Sequence, residues 1–195
     1  MEARELKATV TALAVAWPLL SFASSHQVTV CLDYGCDYTR STDIRAHEWR
    51  LVEEILSEVD SADAERVALA EAIGELEQIV GGKVGTAEDA PRNAAPDTRI
   101  IGQLDCIAES INTERYLQLL ASSELLRHHR VVGREVRHRW VFDTHWTAVI
   151  EEIDSGERFA VDSWHRRNGE PAAIQQLGAW RRADPIDDPP SWSPE

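Results

Sequence analysis

Three residues have the types and surroundings of a thiol nucleophile and its proton-transfer partners: Cys106, His145 and Asp162. Cys106 stands where an irregular stretch turns into a predicted helix, whereas His145 and Asp162 stand at the ends of two predicted strands. The unpaired N–H groups and the dipole of a helix start favour a thiolate over a thiol. A carboxylate on the far ring nitrogen holds an imidazole in one tautomer. The pattern therefore predicts a nucleophile, a base and an orienting acid.

The orienting acid has a rival in the sequence, because Asp143 lies two residues before His145. We favour Asp162, since the Asp-Ser-Gly turn at 154–156 would bring its strand back beside the strand of His145. Asp143 on the same strand would lie about 7 Å away along the chain, which is far for a short side chain.

Other side chains near the three motifs are candidates for supporting roles. Gln103 is a candidate oxyanion donor beside the backbone N–H of Cys106, and its alternative is an ordinary loop residue. Trp146 and Trp164 are candidates for the walls of a cleft, with core packing as their alternative. Cys106 itself has the alternative of a buried helix cysteine that packs as a small apolar residue.

The three stretches together resemble the transglutaminase-like superfamily, a branch of the papain-like cysteine fold. They are Asp-Cys-Ile-Ala-Glu at 105–109, His-Trp-Thr-Ala-Val at 145–149 and Val-Asp-Ser-Trp at 161–164. The resemblance spans residues 100–182 and implies an α+β fold, in which the cysteine helix packs on an antiparallel sheet with helices N-terminal to it. One departure is Asp105, which stands where the family often has Gly, Trp or a small residue. If its carboxylate pointed inward, its negative charge would oppose formation of a thiolate at Cys106.

The resemblance implies an acyl-transfer enzyme with a Cys-His-Asp triad, either an amide or peptide hydrolase or a transglutaminase-like enzyme. Its substrate would be a peptide or protein that carries an amide. Two other classes stay open: a catalytically inactive binding or assembly module of the cell envelope, and a metal-dependent protein that uses the His-rich segment 128–145. We expect no cofactor and no metal, since the cysteine spacing matches no zinc motif.

Composition is typical of a folded enzyme of modest size. The chain has 195 residues, 43% of them hydrophobic, and a formal net charge of −14. The negative charge argues against nucleic acid or an anionic membrane as a partner. The arginines clustered at 127–139 are an exception, and they predict either a solvated hairpin face or a cleft wall that attracts acidic substrates.

Residues 1–23 have features of a signal peptide. An apolar run at 8–20 precedes Ser-Phe-Ala at 21–23, which offers small residues for a cleavage site. The run is too short to span a membrane stably. Acidic Glu2 and Glu5 in the leading segment argue for the alternative, an amphipathic first helix in a cytoplasmic protein. We expect an exported, periplasmic protein.

The cysteine count fits this expectation. Cys31 and Cys36 are close in sequence and could close a small disulfide loop, which would leave Cys106 as the single free thiol. The alternative is a pair of buried, reduced cysteines.

Outside the core at 100–182, we predict a strand at 27–32 followed by helices within 24–99, and a flexible tail over 183–195. Ser41 to Asp43 predict a cap for a first helix, and Ser61 predicts the start of a second helix that stops at Gly81-Gly82. We predict strands near 129–133, 138–142, 145–152 and 157–163.

Overall fold

The computed structural model describes residues 25–93, 102–138 and 144–186. The predicted signal peptide, Asp143 and all but the first residues of the predicted tail lie outside these ranges. The described part is a mixed α+β structure with four helices and two antiparallel sheets. None of its helices is long and apolar enough to cross a membrane.

The first sheet is a hairpin of β1 (His26–Leu32) and β2 (Tyr38–Ile44), joined through a short 3-10 turn at Tyr34–Cys36. His26 pairs with Ile44 at one end and Leu32 with Tyr38 at the other. The predicted helix cap at Ser41 to Asp43 is therefore wrong. These residues pair with β1 instead, and the Ser41 hydroxyl lies 2.7 Å from that of Thr29 across the two strands.

Two helices follow the hairpin: α1 (Ala46–Ile55) and α2 (Ala62–Val84). Ser61 caps α2 as predicted, since its Oγ accepts a hydrogen bond from Ala64 N at 3.2 Å. The predicted stop at Gly81-Gly82 is wrong, because α2 continues to Val84 and ends at Gly85 with a φ of 99°. A Cβ on Gly81 would lie 2.8 Å from Asn168 Oδ1, so its small size serves packing.

The second sheet has four antiparallel strands in chain order: β3 (His129–His138), β4 (Thr144–Glu152), β5 (Arg158–Asp162) and β6 (Ala173–Gln176). The strand predicted at 129–133 is longer than expected, because β3 continues to His138 with a register shift between Val131 and Gly133. The strand predicted at 138–142 lies, apart from His138, outside the described residues. The predicted turn at 154–156 does join β4 to β5. β6 and the helix after it, α4 (Leu177–Arg182), were not predicted.

The helix that begins at the candidate nucleophile, α3 (Cys106–Ser122), packs on β4, β3 and β1. Its buried Tyr116, Leu117 and Leu120 join the main core, to which β4 contributes Ala148 and Ile150. Side chains alternate across a strand, so Val149 points to the opposite face of the sheet. There it packs with Ala160, Leu177 and Trp180 in a second, smaller core under α4.

Glu65 of α2 ties the main core to the start of β3. Its fully buried carboxylate accepts hydrogen bonds from the backbone N–H groups of Arg127 and His128, at 2.7 and 2.5 Å, and lies 3.3 Å from His129 Nδ1. Burial raises the pKa of Glu65, but these contacts outweigh it and leave the pKa lowered. The acid is therefore held ionised, as a linker between a helix and a strand.

Candidate functional site

Cys106 is the first residue of α3 and the only cysteine outside the disulfide. The preceding Asp105 is the helix cap: its Oδ1 accepts from Ala108 N at 2.9 Å, and its Oδ2 accepts from Gly35 N at 3.0 Å. Both carboxylate oxygens are thus occupied by backbone donors. The residue that departs from the family pattern serves to start the helix and to join it to the first hairpin.

The hairpin is closed by a disulfide between Cys31 and Cys36. Cys31 packs with Leu104 and Ala108, which lie two residues before and two residues after the candidate nucleophile in the sequence. Its backbone also bonds to the Asn112 amide of α3, with Cys31 N donating to Oδ1 at 2.6 Å and Nδ2 donating to Cys31 O at 3.2 Å. The disulfide therefore supports the beginning of α3 from one side.

The segment before Cys106 is held on the other side by the loop after α2. Leu104 N donates to Asp89 Oδ1 at 2.9 Å. Gly102 has a φ of 84°, and a Cβ there would lie 2.0 Å from the carbonyl oxygen of Gly85. Only glycine fits this close approach of two backbones, and the approach sets where the chain enters α3.

The sheet brings His145 and Asp162 together. Ala148 of β4 pairs with Val161 of β5, so Asp162 lies beside Thr147, two residues from His145 on the same face. His145 Nε2 lies 2.6 Å from Asp162 Oδ2, and both side chains are buried. Asp162 thus occupies the position of an orienting acid, while the function of the pair stays a prediction.

The other nitrogen of His145, Nδ1, is not used by Asp162. His145 Nδ1 is buried without a hydrogen-bond partner among the described residues. Cys106 Sγ lies 4.0 Å from the carbonyl oxygen of the adjacent Thr144. Burial lowers the pKa of His145, but its contacts with Asp162 and Cys106 raise it, and the net pKa is about 9. An imidazolium is therefore favoured between a carboxylate and a thiol at neutral pH.

Asp162 has further partners that the sequence did not reveal. Trp180 Nε1 donates to Asp162 Oδ2 at 2.8 Å, and the Trp180 ring lies 5.7 Å from the His145 ring. Burial raises the pKa of Asp162, but the hydrogen bonds from His145 and Trp180 and the positive charge of His145 together outweigh it, and the pKa is lowered. The carboxylate stays charged in a buried position because two donors, one of them the imidazolium, surround it.

His165 is a second neighbour of Asp162. Its Nδ1 accepts from Arg92 Nε at 3.2 Å, so the hydrogen of a neutral ring sits on Nε2, which lies 3.5 Å from Asp162 Oδ2. Burial lowers the pKa of His165, which keeps the ring neutral. In the sequence, the only indication of this contact is that His165 follows Asp162 by three residues. That spacing is too common to identify His165 as a partner of Asp162.

Gln103, the candidate oxyanion donor, lies against the loop that follows α2. Its Nε2 donates to Glu88 O at 2.7 Å, and its Oε1 accepts from Ala90 N at 3.0 Å and from the amide of Asn93. The side chain is buried. These contacts order the loop, and an oxyanion role stays a prediction.

The two candidate wall tryptophans lie in different surroundings. The Trp164 ring is 4.7 Å from the His145 ring, and its Nε1 donates to Asn93 O at 2.9 Å. Trp146 lies under the guanidinium of Arg134, 5.1 Å from the ring centre, and Arg134 also pairs with Glu114 at 3.2 Å. Trp164 therefore borders the imidazole, and Trp146 packs beside α3.

Two of the three arginines of β3 have acidic partners, and the third, Arg137, donates to the carbonyl oxygen of Trp180. Besides the pair of Arg134 and Glu114, Arg130 pairs with Glu151 across the sheet. These contacts fit the prediction of a solvated hairpin face better than that of a wall for acidic substrates.

A buried acidic cluster lies behind the site: Glu77 of α2, Asp89 of the following loop and Glu109 of α3. Ser163, next to Asp162, donates to Glu109 Oε2 at 2.9 Å. Burial raises the pKa of Glu77 to about 8, and burial together with the charge of Glu77 raises that of Glu109 well above its usual range. The cluster joins both motifs of the site through buried carboxyls, of which Glu77, with a pKa of about 8, is mainly protonated at neutral pH.

Glu77→Gln is expected to stabilise the protein increasingly as the pH rises. The carboxyl of Glu77 has a pKa of 4.5 in the unfolded chain and about 8 in the folded protein. Its contribution to the free energy of unfolding is therefore fully present below pH 4.5 and is lost as the pH rises through about 8. The amide of glutamine does not ionise, so the variant lacks this pH-dependent loss of stability. The free energy of unfolding, from urea titrations, should rise relative to wild type by on the order of 3 kcal/mol between pH 5 and pH 8. Glu75→Gln on the same helix is the control, and a Glu77→Gln difference independent of pH would contradict the assignment.

One group of described residues offers converging metal ligands: His145, Asp162 and His165, with ligand atoms within 4.8 Å of one another. Asp162 Oδ2 and His145 Nε2 are only 2.6 Å apart, and Arg92 already donates to the far nitrogen of His165. Two ligands of one zinc ion, each about 2.0–2.2 Å from it in tetrahedral geometry, lie farther apart than this. The arrangement is that of a hydrogen-bonded pair with a supporting neighbour.

Comparison of the chain with protein-family models, with curated proteins and with solved structures finds no match.

Proposed function

We propose that the protein is a cysteine-dependent acyl-transfer enzyme of the transglutaminase-like kind, acting on an amide of a peptide or protein. The observation that supports this most is the arrangement around His145. Its Nε2 is bonded to a buried carboxylate, and its unpaired Nδ1 remains for a thiol at the start of a helix. Such an order of thiol, imidazole and carboxylate is the arrangement used by activated cysteine nucleophiles.

In the proposed acylation step, Cys106 Sγ attacks the carbonyl carbon of the amide. A C–S bond forms and the carbonyl oxygen becomes an oxyanion, which backbone N–H groups in the first turn of α3 stabilise. The C–N bond then breaks as the protonated His145 gives its Nδ1 proton to the leaving amine. Asp162 keeps Nε2 protonated throughout, so that Nδ1 is the nitrogen that exchanges the proton.

In the second step, water or an amine attacks the thioester carbonyl. His145 Nδ1 takes the proton of the attacking group, the C–S bond breaks, and Cys106 returns as a thiolate beside the imidazolium. Water yields a hydrolase and an amine yields a transglutaminase-like transferase. Trp164, which borders His145, is proposed as a wall of the cleft through which the attacking group enters.

We also propose that the protein is exported. The Cys31–Cys36 disulfide supports this, because such bonds persist in oxidising compartments and are rare in the cytosol. Cys106 would then be the single free thiol of the exported chain.

The alkylation rate of Cys106 tests the proposal without knowledge of the substrate. At pH 6 an unassisted cysteine is about 0.3% thiolate, whereas an imidazolium beside it favours the thiolate. We expect iodoacetamide to label Cys106 at least about 10-fold faster in the wild type than in His145→Ala, as measured by intact mass over time.

His47→Ala, which removes an exposed histidine of α1, is the matched control and should label like the wild type. Equal rates in the wild type and in a folded His145→Ala would reject the activated thiol and favour the inactive binding module.

A further inference from the structure

A groove with a volume of about 720 Å³ lies between α1 and α2. One stripe of each helix faces it: Leu51 and Ile55 on α1, and Ala64, Val67 and Ala68 on α2. Positions spaced by three or four residues share a helix face, so the two stripes run along the groove rather than across it. Alanines on the α2 side leave room for another backbone to approach. None of these residues belongs to the site around Cys106.

The groove is apolar and open to solvent. Among the described residues only five large apolar side chains are exposed, and two of them, Leu51 and Val67, lie in this groove with 46% and 49% of their surface accessible. Two such residues side by side, next to the partly buried Ile55, form a contiguous patch of the kind that marks a binding surface.

The rim of the groove is acidic. Glu54 and Glu58 lie on the α1 side, and Glu71 and Glu75 lie on the α2 side. Within residues 25–93, 102–138 and 144–186, none of the four has an ion-pair partner, in contrast to Glu48 and Glu65 of the same helices. Four unpaired carboxylates around an apolar floor favour a cationic, amphipathic occupant.

We propose that this groove binds an amphipathic helix of a partner protein. Its apolar residues, at helical spacing, would pack on Leu51, Ile55 and Val67, and its flanking lysines or arginines would face the four glutamates. A helix laid in the groove between two helices completes a three-helix arrangement and is a recurring mode of recognition. The acyl-transfer proposal is independent of this surface.

A synthetic 18-residue helical peptide of leucine and lysine is the probe, labelled for fluorescence anisotropy and titrated with the full chain at 150 mM salt. We expect a dissociation constant of about 10 μM. Val67→Asp, which changes an exposed position, should weaken binding at least about 10-fold. Reversing the rim with Glu54→Lys and Glu71→Lys should weaken it by a similar factor and create affinity for the matching leucine and glutamate peptide.

Val132→Asp is the matched control, because Val132 is an exposed valine of β3, away from the groove, and this variant should bind as the wild type does. Equal affinity of the wild type and Val67→Asp for the lysine peptide would overturn the proposal, as would equal affinity of the wild type for the glutamate peptide. Sedimentation that shows a wild-type dimer, abolished by Val67→Asp, would overturn it too and assign the groove to a second copy of the chain.

Discussion

Asp162→Ala is expected to lower the turnover of an amide substrate by about 10³ to 10⁴-fold. The change removes the acceptor that His145 Nε2 uses at 2.6 Å and leaves Trp180 Nε1 without its partner at 2.8 Å. The imidazole then loses its fixed tautomer, and its pKa falls from about 9 because the neighbouring charge is gone. The measurement is kcat on amide substrates together with the iodoacetamide labelling rate at pH 6, both of which should drop.

Asp162→Asn separates orientation from charge. An asparagine oxygen can accept from both His145 and Trp180, so the ring stays in place while the negative charge is lost. His145 is protonated below its raised pKa of about 9. In the wild type the cleavage rate should therefore fall as the pH rises through about 9, because the leaving amine then lacks its proton donor. In Asp162→Asn this alkaline limb should move to lower pH, and turnover should also fall severely, because the amide no longer enforces the required tautomer of the imidazole.

The control is Asp143→Ala, the rival carboxylate of the sequence, which lies outside the described residues. It should leave the turnover and the labelling rate close to those of the wild type. Melting temperatures of the variants show whether each one is folded. The opposite ranking, with Asp143→Ala inactive and folded Asp162→Ala active, would mean that the wrong carboxylate is assigned.

Replacing both Cys31 and Cys36 with serine is expected to lower the free energy of unfolding by about 2 kcal/mol. The disulfide closes a loop with a sequence separation of 5, and the entropy of such a short loop in the unfolded chain corresponds to this value. The hydroxyl at Cys31 would also enter the buried cluster with Leu104 and Ala108, which adds to the loss. Guanidinium titrations of the oxidised wild type and the double variant measure the difference.

The variant with the single change Cys36→Ser is not a suitable control, because it leaves a second free thiol. Wild type unfolded without reductant serves instead, and it should react with one equivalent of a thiol reagent at Cys106. Three reactive thiols in protein purified from an oxidising compartment would contradict the disulfide, and an unchanged unfolding free energy would contradict its contribution.

The local parts of the site could be predicted from the sequence because their signals are short in range. The change from an irregular stretch to a helix at Cys106, a tight turn between two strands, and two cysteines five residues apart each specify geometry within a few residues. From the turn at 154–156, the return of Asp162 to the neighbourhood of His145 follows by strand pairing alone. The prediction of β1 was correct for the same reason, since alternation over seven residues is a local pattern.

The predictions from the sequence were wrong where a local pattern is compatible with more than one secondary structure. Ser41, Thr42 and Asp43 are good helix caps in sequence, yet β1 supplied paired backbone partners and drew them into β2. Gly81 and Gly82 are typical of a helix end, yet α2 passes through them because Gly81 accommodates the side chain of Asn168. In both cases a contact with a distant segment outweighed the local preference.

The sequence alone singled out the three motif residues, predicted the elements that hold them and offered a disulfide between its two neighbouring cysteines as one of two alternatives. Their surroundings follow from tertiary packing. Arg92 reaches His165 from a loop 73 residues earlier, and Trp180 reaches Asp162 from a helix beyond the last strand. Packing places Glu77 and Glu109, which lie on two different helices, in the interior with Asp89. Periodicity in the sequence indicates which face of an element is buried. Which groups meet on that face depends on how distant elements pack. This packing sets the charge and orientation of His145.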